Sequence, residues 1–101
     1  MKFLSFYMFD MTKAAEIAAA GDKVANTPGV KLLAQYACQA IPFPGVPPNT
    51  MVVVTIAEVE SNEALATANY PLELAGATTH RVPIMEMPVG GAAETEKQYR
   101  T

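Results

Sequence analysis

The sequence predicts an α+β domain of the ferredoxin-like type, with a four-stranded antiparallel sheet and two helices on one of its faces. The main observation is the hydrophobic spacing, which alternates in the order strand, helix, strand, strand, helix, strand. Two strand-helix-strand units with right-handed crossovers give this arrangement. The length of 101 residues allows one domain, and a composition of 50% hydrophobic and 17% charged residues is typical of a globular chain.

The first half of the chain contains one strand-helix-strand unit. Lys2 to Phe9 is rich in aromatic residues and too short for a core helix, so we predict a strand that is apolar on both faces. Apolar residues then recur at helical spacing, and Asp10 or Thr12 can cap this helix. It should end at Thr27, because the residue before a proline avoids the α conformation. Val30 to Ala40 alternates like a half-buried strand. One face of this strand is predicted to carry Leu32, Ala34, Tyr36 and Cys38.

A proline-rich segment, Ile41 to Thr50, follows and holds four of the eight prolines. Proline lacks a backbone donor, so we predict a stiff loop rather than a strand or helix. The loop exceeds the two to five residues that usually join hairpin strands, and such loops are often lids or binding arms. Phe43 is an isolated aromatic within it, and we expect Phe43 to dock on a partner or over the mouth of a pocket.

The second half repeats the pattern. Met51 to Val59 is β-branched and apolar on both faces, which predicts a central strand. A helix should begin at Ser61 and break or kink at Tyr70, because Pro71 lacks a backbone N–H; Pro71 should then start a short turn that ends at Gly76. His80 to Val89 is predicted to be an edge strand. Pro83 and Pro88 within it lack a backbone N–H, and a missing donor is tolerated at the edge of a sheet.

The predicted domain covers residues 1–89, and residues 90–101 form a polar tail that is either disordered or reaches onto a neighbour. Two strands are apolar on both sides, whereas two helices cover only one face of the sheet. We therefore expect the uncovered face to pack against a second copy of the chain, as a homodimer or a higher oligomer.

Charge and cysteine content exclude several classes of protein. A net charge of −3 without a basic cluster argues against a nucleic-acid partner. The single cysteine, Cys38, excludes an intrachain disulfide scaffold and fits a reducing, cytoplasmic compartment. No stretch approaches the ~20 apolar residues that span a bilayer, so no membrane partner is predicted.

Three segments carry a family resemblance: GVKLLAQY (Gly29 to Tyr36), AEVESNEALATAN (Ala57 to Asn69) and THRVPIMEM (Thr79 to Met87). They resemble a small family of bacterial and archaeal proteins of unknown function within the dimeric α/β-barrel superfamily. The resemblance covers roughly residues 2 to 89. It implies two ferredoxin-like chains packed sheet against sheet, with a pocket between the sheet and the helices of each chain. Members of the wider superfamily include cofactor-independent monooxygenases, isomerases and ligand-binding dimers.

Four residues are candidates for a binding site. Tyr7 and Tyr36 can stack on a ring and hydrogen-bond to it, and Phe43 can cover a pocket mouth. His80 is the only imidazole and therefore the candidate general base, although it can equally be a polar residue that opens the last strand. No metal-ligand spacing and no nucleotide-binding glycine motif occurs, so neither a metal nor a cofactor is predicted.

These observations favour a small homodimeric domain that binds an apolar or aromatic molecule between sheet and helices, near Tyr7, Tyr36 and His80. The alternative is a cofactor-independent monooxygenase or isomerase acting on a small aromatic or lactone substrate, with His80 as the base and a tyrosine orienting an oxyanion.

Overall fold

The computed structural model describes residues 1–100, which form one four-stranded antiparallel sheet in the order β2-β3-β1-β4. The elements, in chain order, are β1 (Lys2–Asp10), a 3-10 turn (Met11–Lys13), α1 (Ala14–Ala25), β2 (Val30–Ala37), β3 (Thr50–Val59), α2 (Asn62–Leu74), β4 (Thr78–Ile84) and α3 (Ala92–Tyr99). This order and topology confirm the ferredoxin-like βαββαβ arrangement. The predicted central position of β3 and the predicted edge position of β4 are also confirmed.

Local side-chain chemistry sets the helix boundaries. Asp10 accepts hydrogen bonds from the backbone N–H and the hydroxyl of Thr12, which begins the 3-10 turn that leads into α1. Ser61 accepts from the backbone N–H of Ala64 and caps α2 as predicted. At the other end of α2, Gly76 adopts a φ of 105°, a left-handed conformation that a side chain would strain. The predicted stop at Gly76 is therefore confirmed.

Of the break or kink predicted at Tyr70, the break is wrong. The helix α2 continues through Pro71 to Leu74. Pro71 removes one backbone donor, but it lies only one turn from the end of the helix, where its own carbonyl still accepts from the backbone N–H of Ala75. The cost is one helical hydrogen bond, and burial of Ala68 and Leu72 against the sheet offsets it.

The predicted alternation of β2 is interrupted at Leu33. Leu32 pairs with Ala57 of β3 and Ala34 pairs with Ile56, so Leu33 is an extra residue in the ladder. Such a bulge moves every later side chain to the opposite face. Leu32 therefore lies on one face of the sheet and Tyr36 on the other, which corrects the prediction that they share a face.

The two faces of the sheet differ in what covers them. One face, here called the helix face, packs against α1 and α2. The core on this face consists of the buried side chains of Tyr7, Phe9, Ile17, Ala20, Val24, Ala68, Leu72 and Ala77. The other face, here called the open face, faces away from both helices. It carries the apolar side chains of Leu4, Phe6, Met8, Ala34, Tyr36, Val52, Val54, Ile56, Val82 and Ile84.

The loop between β2 and β3, residues 38–49, folds onto one end of the open face. Phe43 contacts Phe6 edge-to-face, with ring centroids 5.9 Å apart and an interplanar angle of 80°. Asn49 ties the loop to the end of β1: its carbonyl accepts from the backbone N–H of Met11 at 2.9 Å, and its amide donates to Asp10 at 3.3 Å. Beyond the loop, Leu4, Val54 and Ile56 of the open face stay partly exposed within residues 1–100.

The C-terminal region differs from the expected tail, because Ala92–Tyr99 forms the helix α3. None of its side chains is buried. This helix was not predicted from the sequence, since its apolar residues form no stripe that a core could bury. No helix within residues 1–100 has the length and apolar character to cross a membrane.

Candidate functional site

A mainly apolar cavity of about 470 Å³, here called the sheet–helix cavity, lies between α1 and the helix face of the sheet. Its floor is formed by Phe9, Leu32, Ala37, Met51 and Val53. Leu72 of α2 closes one side. This location agrees with the pocket that the sequence analysis placed between sheet and helices.

The cavity exists because α1 presents small residues to β2 and β3. Ala14, Ala18, Gly21 and Ala25 all line it, and none has a side chain long enough to reach the strands. The larger side chains of α1, Ile17 and Val24, lie at the core and are buried. The alanine-rich composition thus leaves room within the monomer.

Few polar groups enter the cavity. Thr55 and Gln35 are neighbours on β3 and β2, and both lie on its wall. The same cross-strand row continues with Ser5 and Arg81, so a polar band crosses the otherwise apolar helix face. Asp22 is the one charged residue among those that line the cavity. The site can therefore form one or two hydrogen bonds with a mainly apolar ligand.

Tyr7 connects the cavity to the core. Its ring lines the cavity, and its hydroxyl donates a hydrogen bond to Oδ1 of Asn69 at 3.2 Å. Asn69 in turn donates to the carbonyl of Leu65 at 2.9 Å, one turn earlier in α2. Tyr7 is 7% and Asn69 2% exposed, so both polar groups are satisfied inside the protein rather than by solvent. This pair fixes the orientation of the Tyr7 ring at the cavity wall.

A second, more open space of about 510 Å³ lies on the opposite side of the sheet, between the proline-rich loop and the open face. We call it the loop cleft. Phe43, Pro44 and Pro47 line it from the loop, and Met8 and His80 line it from the sheet. No other residue within 1–100 hydrogen-bonds to the His80 imidazole.

The four predicted site residues do not share one pocket. Tyr7 lines the sheet–helix cavity, whereas His80 and Phe43 line the loop cleft on the other face. Tyr36 also lies on the open face and is 62% exposed. The predicted grouping of Tyr7, Tyr36 and His80 is therefore wrong in position: the bulge at Leu33 turns Tyr36 away, and His80 pairs with Phe6 on the open face.

The sequence analysis missed the cavity residues Gln35 and Thr55. Thr55 interrupts the apolar run of its strand, and this was the available signal; Gln35 belongs to a strand that alternates between polar and apolar residues and gives no such signal. It also missed the small residues of α1 as a cavity wall, because alanine at helical spacing is equally typical of a close helix–sheet contact.

Ionisable groups with shifted pKa values lie outside the sheet–helix cavity. The hydroxyl and backbone N–H of Thr12 hold the pKa of Asp10 below its ordinary value, with Asn49 contributing. The ion pair of Lys2 with Glu86 raises the pKa of Lys2 and lowers that of Glu86. Within residues 1–100, no group of three or more histidine, cysteine, aspartate or glutamate side chains could hold a metal ion.

Comparisons with known proteins give structural neighbours. No protein-family model matches the chain, and no curated protein sequence matches it significantly. A structure from Caulobacter crescentus, provisionally assigned as an antibiotic biosynthesis monooxygenase, has 15% identity and a TM-score of 0.46, over 84% of this chain and 91% of that one. An EthD family protein from Bacillus halodurans has 11% identity and a TM-score of 0.45, over 84% of this chain and 100% of that one. The ferredoxin-like fold of this chain is established by its own strand order and helix placement.

Proposed function

We propose that the protein is a homodimeric domain that binds a small apolar or aromatic molecule in the sheet–helix cavity. The observation that carries the proposal is the cavity itself, about 470 Å³ with a mainly apolar lining. This volume lies within the range of about 300 to 1,000 Å³ that is typical of small-molecule sites. The space opens to solvent at exposed lining residues such as Ala18 and Gln35, so a ligand that fills it would displace water from the apolar lining.

The lining indicates the chemistry of the ligand. Apolar side chains and the Tyr7 ring supply dispersion contacts and a stacking surface. Thr55 and Gln35 supply hydrogen bonds at one point of the wall. No lysine, arginine or histidine lines the cavity and Asp22 does, so a carboxylate or phosphate would find no counter-charge. A neutral molecule with one hydroxyl or carbonyl group fits these surroundings.

The open face supports the homodimer. Four strands about 4.8 Å apart and roughly 30 Å long give a projected area on the order of 500 Å² per copy. Two such faces in contact would bury on the order of 1,000 Å² or more, which reaches the size of a specific interface. The open face is apolar over most of this area, and α1 and α2 pack on the opposite face of the sheet. We place the dimer in the cytoplasm, where a reducing environment suits the free Cys38.

The alternative function, catalysis with His80 as the base, requires His80 beside the ligand. Because His80 lies on the opposite face of the sheet from the sheet–helix cavity, no observation favours this alternative.

The test fills the cavity. Ala18→Leu adds a branched side chain at an exposed position of α1 that lines the cavity, whereas Ala15→Leu makes the same change at an exposed position of α1 that does not line it. We expect 2-naphthol, measured by titration calorimetry, to bind wild type and Ala15→Leu alike and to bind Ala18→Leu at least tenfold more weakly. Equal binding to both variants, or no binding to the wild type together with no co-purified ligand in native mass spectra, would contradict the proposal.

A further inference from the structure

We propose that Tyr36 of each copy inserts into the loop cleft of the other copy, against the partner's His80. Each cleft is then completed by an aromatic side chain that its own chain does not supply. The inference rests on the homodimer proposed above and adds the symmetry of its interface and the residues that set it.

The first argument is the register of the sheet. Tyr36 pairs with Val54, Val54 pairs with Phe6, and Phe6 pairs with His80. These four residues form one row across all four strands, on the open face. Tyr36 and His80 therefore stand at the same level along the strands but at opposite edges of the sheet, because β2 and β4 are the two edge strands.

The second argument is symmetry. A two-fold axis that runs parallel to the strands, between two facing sheets, exchanges the two edges and leaves the level along the strands unchanged. Under this operation β2 of one copy faces β4 of the other. Tyr36 is then brought over the partner's His80, and the same contact occurs twice.

The third argument is chemical fit. Tyr36 is 62% exposed in the single chain, which is a large aromatic surface to leave in water. The loop cleft offers the ring of Phe43, proline rings and the thioether of Met8, all of which pack well on an aromatic face. The imidazole of His80 lies in the same cleft and can exchange a hydrogen bond with a phenol.

The proline-rich loop also explains why the cleft keeps its shape. The loop is tied to β1 through Asn49 and rests on Phe6 through Phe43. Because the cleft is already formed, little conformational entropy is lost when a side chain enters it.

The test is chemical cross-linking at the two edges. In a Cys38→Ser background, Tyr36→Cys and His80→Cys are made singly and together; both positions are exposed, so the chain should fold. The two positions lie three strand spacings apart within one chain, about 14 Å. A bis-maleimide shorter than this separation can therefore join them only between chains. Products are read as covalent dimers on denaturing gels and as linked peptides by mass spectrometry.

The outcomes separate the inference from the homodimer. We expect the double variant to give a covalent dimer linked between positions 36 and 80, and the single variants to give little product. Cross-linked single variants, 36 to 36 or 80 to 80, would show that the axis runs across the strands and overturn the inference while keeping the dimer. A wild-type monomer by sedimentation at micromolar concentration would overturn the homodimer and the inference with it.

A second measurement uses a matched pair of tyrosines. Tyr36 and Tyr70 are both 62% exposed, but Tyr70 lies on α2 and away from the open face. Tyr36→Ala should raise the dimer dissociation constant about 30-fold, as expected for an aromatic side chain that is buried in a pocket of the partner. Tyr70→Ala should leave it within about twofold. Equal effects of the two variants, or no effect of either, would contradict the proposed contact.

Discussion

The buried pair of Tyr7 and Asn69 permits a quantitative test of the core. Tyr7→Phe keeps the ring that lines the sheet–helix cavity and removes only the hydroxyl that donates to Oδ1 of Asn69. The acceptor is left without a partner at a residue that is 2% exposed. Burying one unsatisfied polar group costs about 1 to 3 kcal/mol, and the 3.2 Å separation favours the lower half of this range.

We therefore expect Tyr7→Phe to lower the free energy of unfolding by about 1.5 kcal/mol. For a domain of this length, that corresponds to a fall in Tm of roughly 6 to 12 °C. The measurement is urea and thermal unfolding followed by circular dichroism, at one fixed protein concentration because the stability of the proposed dimer would depend on it. Tyr70→Phe is the control, since Tyr70 is exposed and should change stability by less than about 0.5 kcal/mol.

A double-mutant cycle with Asn69→Ala isolates the pair. Once Asn69 has no side-chain oxygen, removal of the Tyr7 hydroxyl should cost less than about 0.5 kcal/mol, so the two changes are not additive. Equal costs of Tyr7→Phe in both backgrounds would show that the hydroxyl is not satisfied by Asn69, and the account of the buried pair would fail.

Three further predictions use calorimetric unfolding. Gly21→Ala should stabilise α1 by about 0.8 kcal/mol, because Gly21 is interior to the helix and a Cβ there meets no atom within 4 Å; a destabilised variant would contradict the open space at this position. Gly29→Ala should destabilise by more than about 1 kcal/mol, because φ is 82° and the new Cβ would lie 3.0 Å from that of Ala64; an unchanged Tm would count against the turn geometry. Asp10→Asn keeps a capping side chain but removes the titration. Because hydrogen bonds from Thr12 hold the folded pKa of Asp10 below 3.8, the stabilisation by the carboxylate is present above that pH and is lost as the pH falls through the lower folded pKa. The difference in Tm between wild type and Asp10→Asn should therefore shrink as the pH falls below 3.8, and a constant difference would contradict the shift.

Features with local causes were predictable from the sequence. Asp10 caps the 3-10 turn before α1, and Ser61 caps α2, because their short side chains reach backbone donors two or three residues away; α1 itself begins after Lys13, which makes no side-chain cap. Gly76 ends α2 because the chain needs a left-handed residue there. The apolar strand from Met51 is central because both its faces require neighbours.

Features that depend on tertiary contacts were not predictable. The extra residue at Leu33 changes no local pattern, yet it decides which face Tyr36 joins. Pro71 has a strong helix-breaking tendency that packing of α2 overrides. The split of the candidate site into a cavity and a cleft follows from register across strands, which a single sequence does not reveal.

The place of β1 in the sheet also bears on how the chain folds during synthesis. Of the four strands this one is made before the others, but it lies between β3 and β4, and its partners in β3 follow 40 to 56 positions later along the chain. An emerging chain therefore holds a strongly apolar segment with neither edge paired until most of the domain has left the ribosome. The contacts of β1 are non-local, so the rate at which the sheet forms is limited by the closure of long loops. Nascent-chain protection by chaperones should matter most over this first strand.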